Sequence, residues 1–202
     1  MPDNIWVDLR KAIQSDIQQH PYSAKPESSG RSNMTQMGSV GSASVNVELD
    51  GLTGLRTPRA FFRDFERSLN DSNLGVALLV ADFDHFKQVN DRYGHSTGDE
   101  LLRALALLFV EHSDLLGAVP YRFGGSVFDV ILPGKNSEAA REFAESIRIA
   151  VECFRYRDLA LTVSIGMAAA PKDGRTIHDL ADKAYAAMRR AKTNGRNRVE
   201  VA

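Results

Sequence analysis

The apolar run Val76 to Val80, stopping at Asp82, constrains this chain more than any other stretch. It is far too short to cross a bilayer, and it lacks the polar alternation of a strand with one wet face. It therefore reads as a strand buried on both faces. Around it the spacing predicts helices and strands in turn. Pro58 opens a helix that carries Phe61, Phe62, Phe65 and Leu69 on one face. A helical stretch follows the run through Tyr93, and another spans about Asp99 to Glu111, with Leu102, Leu105, Leu108 and Phe109 inward. Val119 to Phe123 and Val127 to Leu132 flank Gly124-Gly125, a hairpin signal. Phe143, Ile147, Val151 and Phe154 mark a further helix, Leu159 to Met167 a strand, Ile177 to Thr193 a helix stopped by Asn194-Gly195, and Arg198 to Val201 a short last strand. The expected class is α/β: a central mixed β-sheet flanked by helices, with one β-hairpin.

Before this domain, which covers 47–202, two segments differ in texture. Over residues 1–20 the apolar positions Ile5, Leu9, Ile13 and Ile17 recur every four residues, as in an amphipathic helix. Its stripe serves either as packing on the domain or as a dimerisation or docking segment. Residues 21–46 are rich in Ser and Gly and without periodicity, and read as a flexible linker. The 25 Lys and Arg nearly cancel the 26 Asp and Glu, so no global field attracts nucleic acid or an anionic membrane. The single cysteine, Cys153, excludes an internal disulfide. With no signal-like start and no membrane-spanning run, the expected setting is cytoplasmic.

Chemistry-bearing residues gather at three places. Asp82-Phe83-Asp84-His85-Phe86-Lys87 follows the buried strand, where open α/β sheets put ligand contacts. Two acids and a lysine there suit Mg²⁺ and phosphate, and suit capping of the next helix equally well. Asn90 to Glu100 carries turn chemistry, with Asp99 as a cap for the following helix; Asn90 and Asp99, brought together by the turn, would also make a purine reader. Lys192, Arg196 and Arg198 either complement a helix dipole or, if the fold returns them to Asp82, bind phosphates.

Taken in order, Asp50 with Leu52-Thr53-Gly54-Leu55, the Asp82 to Lys87 segment, Asn90-Asp91, Gly94-His95, Gly98-Asp99, Arg122-Phe123-Gly124-Gly125, Thr162 to Gly166, Ala181-Asp182 and Lys192 to Arg198 resemble the landmarks of the GGDEF family, the diguanylate cyclases. The resemblance runs from about Asp50 to the C-terminus. It implies a nucleotidyl-cyclase-like sheet of the ferredoxin-like palm type, and a GTP-binding half-site that meets its twin across a homodimer to make cyclic di-GMP. It assigns Asp82 and the Phe83 carbonyl to metal, Lys87, Lys192 and Arg196 to phosphate, Asn90 and Asp99 to guanine, and Gly124 and Gly125 to the nucleotide-binding turn.

One departure bears on function. The family carries acids at the third and fourth positions of its signature turn, where this chain has Ser126 and Val127. A neutral hydroxyl is a poor ligand for a hard cation, so Mg²⁺ binding should be weakened. Asp129, three residues on, should point to the opposite face of the sheet from Ser126 and so cannot substitute. Leu115 and Ala118 also replace the Arg and Asp of the family's product-inhibition motif. The expectation is a degenerate, catalytically inactive domain that binds GTP or a protein partner of cyclic di-GMP signalling, with neither nucleic acid nor membrane as partner. The alternative is a weakly active diguanylate cyclase that relies on Asp82.

Overall fold

The computed structural model describes residues 48–71, 75–114 and 116–202. The helix expected over 1–20 and the linker over 21–46 lie outside them. The elements run α1 (Pro58–Asn70), β1 (Val76–Phe83), α2 (Phe86–Tyr93), α3 (His95–Asp114), β2 (Val119–Gly124), β3 (Val127–Pro133), α4 (Ser137–Cys153), β4 (Val163–Ala170), α5 (Ile177–Thr193) and β5 (Val199–Val201). The five strands form one sheet in the order β2-β3-β1-β4-β5. All neighbours are antiparallel except β4 and β5, so the sheet is mixed, as expected.

β1 is central and covered on both faces. Ala77, Leu79, Ala81 and Phe83 enter a core shared with residues of α2, α3 and α4. Val76, Leu78 and Val80 enter a second core shared with α1 and α5. The continuous apolar run of the sequence is this two-sided burial. Phe128 anchors the hairpin to the end of β1, its ring edge-on to Phe83 at 5.1 Å and to Phe109 at 5.2 Å.

Two expected boundaries move. α3 begins at His95, directly after Gly94 closes α2 by donating its N–H to the Asn90 carbonyl at 2.9 Å. Asp99 thus sits in the second turn of α3 and does not cap it. β4 starts at Val163, because Tyr156 and Leu159 instead pair with each other across a tight turn in which Arg157 takes a φ of 54°. It extends to Ala170, since pairing with β1 continues to Val76 and overrides the weak strand preference of three alanines. No described helix is long and apolar enough to cross a membrane.

The placement of α5 decides which side chains meet at the end of β1. A Cβ on Gly166 would collide with the Ala184 carbonyl and the Met188 N–H, so the helix backbone rests directly on the sheet. Gly166 pairs with Val80. Asp82 lies two residues further along β1, and Lys192 one helical turn beyond Met188, which brings the strand end and the helix end together. Gly166→Ala is therefore expected to destabilise the domain by about 3 kcal/mol or more, the upper end for overpacking. Urea unfolding measures this, and an unchanged midpoint would mean that α5 is not seated on that glycine.

Candidate functional site

Asp82 stands at the C-terminal end of β1, facing the α5 side of the sheet, with Val127 and Ser164 as its cross-strand neighbours. Its carboxylate is engaged on both oxygens. Ser126 Oγ donates to Oδ1 at 2.8 Å, and Lys192 Nζ pairs with Oδ2 at 2.6 Å. The fold thus returns Lys192 to Asp82, the condition on which a phosphate role for the lysine depended. Neither Asp82 nor Asp84 caps α2, whose N-cap is His85 with no side-chain cap bond.

Asp84 has a different task. It is 1% exposed and accepts hydrogen bonds from Thr162 Oγ1 at 2.8 Å, Ser164 Oγ at 2.7 Å and the backbone N–H of Asn197 at 3.1 Å. Through Asn197 it holds the loop after α5, in which Arg196 and Asn197 have φ of 61° and 45°. A left-handed arginine costs roughly 1–2 kcal/mol, so the loop needs such anchoring. The Asn197 side chain adds more, donating to Glu152 at 2.8 Å and accepting from Arg148 at 3.0 Å. Arg196 itself is exposed, just beyond the helix end that carries Lys192.

Lys87 and Asn90 lie three residues apart on α2 and so share a face. A Cβ on Gly98 would collide with Asn90 Oδ1, so the Asn90 amide lies against α3 one residue from Asp99. Asn90 and Asp99 are therefore neighbours, joined by helix packing more than by turn chemistry.

The Gly124-Gly125 turn takes φ of 131° and 51°, backbone that only glycine adopts cheaply. Arg122 fastens it, donating from one guanidinium nitrogen to the Gly125 carbonyl at 3.1 Å and from another to Asp50 at 2.9 Å. Thr53 also bonds Asp50 through its N–H and its hydroxyl. Burial pushes the Asp50 carboxyl up, but the bonds from Thr53 and Arg122 outweigh it and hold the group below its ordinary value. Asp84, weighed from sequence as a metal ligand or a cap, anchors the loop instead, and Asp50 and Arg122 support the site without having been singled out from sequence. Their only signal was membership in ordered motifs, because each works through a partner about 70 or more residues away.

Asp129 corrects the sequence reading. The alternation of faces starts at Val127, since Ser126 lies in the turn. Asp129 therefore pairs with Val80 and Tyr121 and shares the face of Asp82, one pleat repeat or roughly 7 Å away. It is still no substitute ligand. It is fully buried, and neither carboxyl oxygen has a hydrogen-bond partner.

These donors do not suit a Mg²⁺ ion, which needs near-octahedral oxygens including one or two available carboxylates. Asp82 is already bonded to Ser126 and paired with Lys192, Asp84 is engaged by its anchoring bonds, and Phe83 offers only its backbone carbonyl because its ring is packed in the core. Among the described residues no three His, Cys, Asp or Glu side chains cluster as a metal site would require.

The family model described as "Diguanylate cyclase, GGDEF domain" matches residues 47–198. Diguanylate cyclase VdcA of Vibrio cholerae is 36% identical over 156 residues, covering 74% of this chain and 45% of that protein, so the chain spans less than half of this relative. The coiled coil and GGDEF domain of DgcB from Caulobacter crescentus, solved in complex with c-di-GMP, superposes with a TM-score of 0.68 at 32% identity, covering 76% of this chain and 85% of that one. Diguanylate cyclase SiaD from Pseudomonas aeruginosa, solved with its activator SiaC, gives a TM-score of 0.70 at 25% identity, covering 97% and 69%.

Burial pushes the Asp129 carboxyl well above its ordinary value, so the folded chain keeps it protonated where the unfolded chain ionises. The native state then binds the extra proton, and this group's contribution to stability falls as pH rises from about 3.8. Asp129→Val is expected to stabilise the domain by about 1–3 kcal/mol near neutral pH. In urea unfolding at pH 5 and pH 8 the gap between variant and wild type should widen at the higher pH. A constant gap would mean that Asp129 does not titrate on unfolding.

Proposed function

Because the chain belongs to the GGDEF family of diguanylate cyclases, we propose that it is a member without cyclase activity, serving as a GTP-binding regulatory or interaction module in cyclic di-GMP signalling. One observation carries this reading. The hairpin residues nearest Asp82 are Ser126, hydrogen-bonded to it at 2.8 Å, and Val127, its cross-strand partner. Phosphoryl transfer depends on positioning and on stabilising the charge of the triphosphate, which metal ions held by carboxylates chiefly supply. A single carboxylate already paired with lysine and serine leaves that device incomplete.

The residues proposed for ligand binding persist around this gap. Asn90 and Asp99 are adjacent and suited to the amide and amine edge of guanine. Lys87, Lys192 and Arg196 supply positive charge on the neighbouring helices and loop. A nucleotide seated there without turnover would report GTP to a second copy of the chain or to a protein partner. The solved complex of SiaD with its activator SiaC supports a partner-directed role, as a relative that assembles with another protein.

Purified protein incubated with GTP and Mg²⁺ or Mn²⁺ is expected to yield no cyclic di-GMP above background by chromatography. Ser126→Asp combined with Val127→Glu should raise product formation by at least about a hundredfold, the scale on which single charge-stabilising groups act. Wild-type turnover that disappears in Asp82→Ala would overturn the reading in favour of a slow cyclase.

A further inference from the structure

We infer that this domain takes its nucleotide as the metal-free triphosphate, with the Lys192 ammonium standing where a divalent cation would otherwise join Asp82 to the phosphates. The inference rests on the GTP-binding reading and adds to it the chemical form of the ligand.

Both oxygens of the Asp82 carboxylate are occupied by the protein itself. Lys192 Nζ lies 2.6 Å from Asp82 Oδ2, and Ser126 Oγ closes the other oxygen at 2.8 Å. A divalent cation on Asp82 would compete with the ammonium already paired with it, and the repulsion between the two positive charges disfavours it. The pair is held from both sides. The close seat of α5 on Gly166 sets where the lysine emerges, and the strand pairing of β1 sets where the carboxylate ends. Lys192 is also half-buried, so its charge is less screened than that of a lysine fully in water.

Charge balance points the same way. A site with three carboxylates repels a triphosphate unless divalent cations lie between the two anions. With Ser126 and Val127 in place of acids that need disappears, because Asp82 and Lys192 neutralise each other while Lys87 and Arg196 remain to attract phosphate. An ammonium has three donors, so Lys192 can keep its bond to Asp82 and offer the other two to phosphate oxygens. The same substitutions that remove the metal ligands thus remove the electrostatic reason for a metal.

The test is calorimetric titration of the full chain with GTP, once in excess EDTA and once in Mg²⁺. Binding should be tighter in EDTA by about tenfold or more, because Mg²⁺ complexes GTP in solution and withdraws the metal-free form. Lys192→Met keeps the stem and removes the charge, and should weaken metal-free binding by about tenfold or more. Ser126→Asp should make binding depend on Mg²⁺, with affinity in EDTA falling below that in Mg²⁺ by about tenfold. Wild-type binding that is as tight in Mg²⁺ as in EDTA, or tighter, would overturn this inference and leave the GTP-binding reading standing. Absence of binding in both buffers would overturn the two together.

Discussion

With no Cβ at Gly166, helix α5 lies with its backbone against the β1–β4 pair, and the arrangement of the candidate site depends on that contact. It sets the height of the helix over the sheet. It also sets the point at which the helix ends, and so where Lys192 and the loop with Arg196 and Asn197 come down beside the last residues of β1. A residue with any side chain at 166 would lift the helix, and the Lys192 to Asp82 pair would have to stretch. The buried bonds of Asp84 then tie the loop to the same strand end, so helix and loop are held by two independent devices.

Three aspartates, Asp82 at the end of β1, Asp84 just after it and Asp129 on β3, show how environment assigns the role of a residue type. Asp82 is partly exposed and ion-paired with Lys192 at the end of β1. Asp84 is buried yet fully hydrogen-bonded, so its burial is compensated. Asp129 is buried with no partner and is held neutral by desolvation. Only the first is partly open to solvent. The second organises the site, and the third weakens the fold at a position where an apolar residue would pack.

With Ser126 and Val127 after the Gly124-Gly125 turn, the scaffold around the turn is intact. Gly124 and Gly125 keep their left-handed turn, Arg122 still joins it to Asp50, and Phe128 still locks β3 into the core. A scaffold built on backbone geometry and packing does not depend on the side chains at 126 and 127. In the proposed reading, binding relies on positions along α2, α3 and α5 and chemistry on two residues of the hairpin, so the two separate.

Much of this was legible in the sequence. The apolar run from Val76, the Gly124-Gly125 turn and the limits of α5 follow from local patterning and turn chemistry, which act within a few residues. The motif resemblance pointed to Asp82, Asn90, Asp99 and Lys192 and to the missing acids. The start of α3, the reach of β4 and the face of Asp129 were not legible, because each depends on which residue begins an element or on pairing with a distant strand. Nor was the pairing of Asp82 with Lys192 and Ser126, or the anchoring role of Asp84, whose partners lie 78 to 113 residues away. Sequence alone establishes the order of the family motifs and the identities of Ser126 and Val127 after the Gly124-Gly125 turn, since these are matters of residue identity and order. Tertiary structure alone establishes that a lysine from α5 holds the remaining carboxylate, because that distance is set by the packing of a helix against a glycine in another strand.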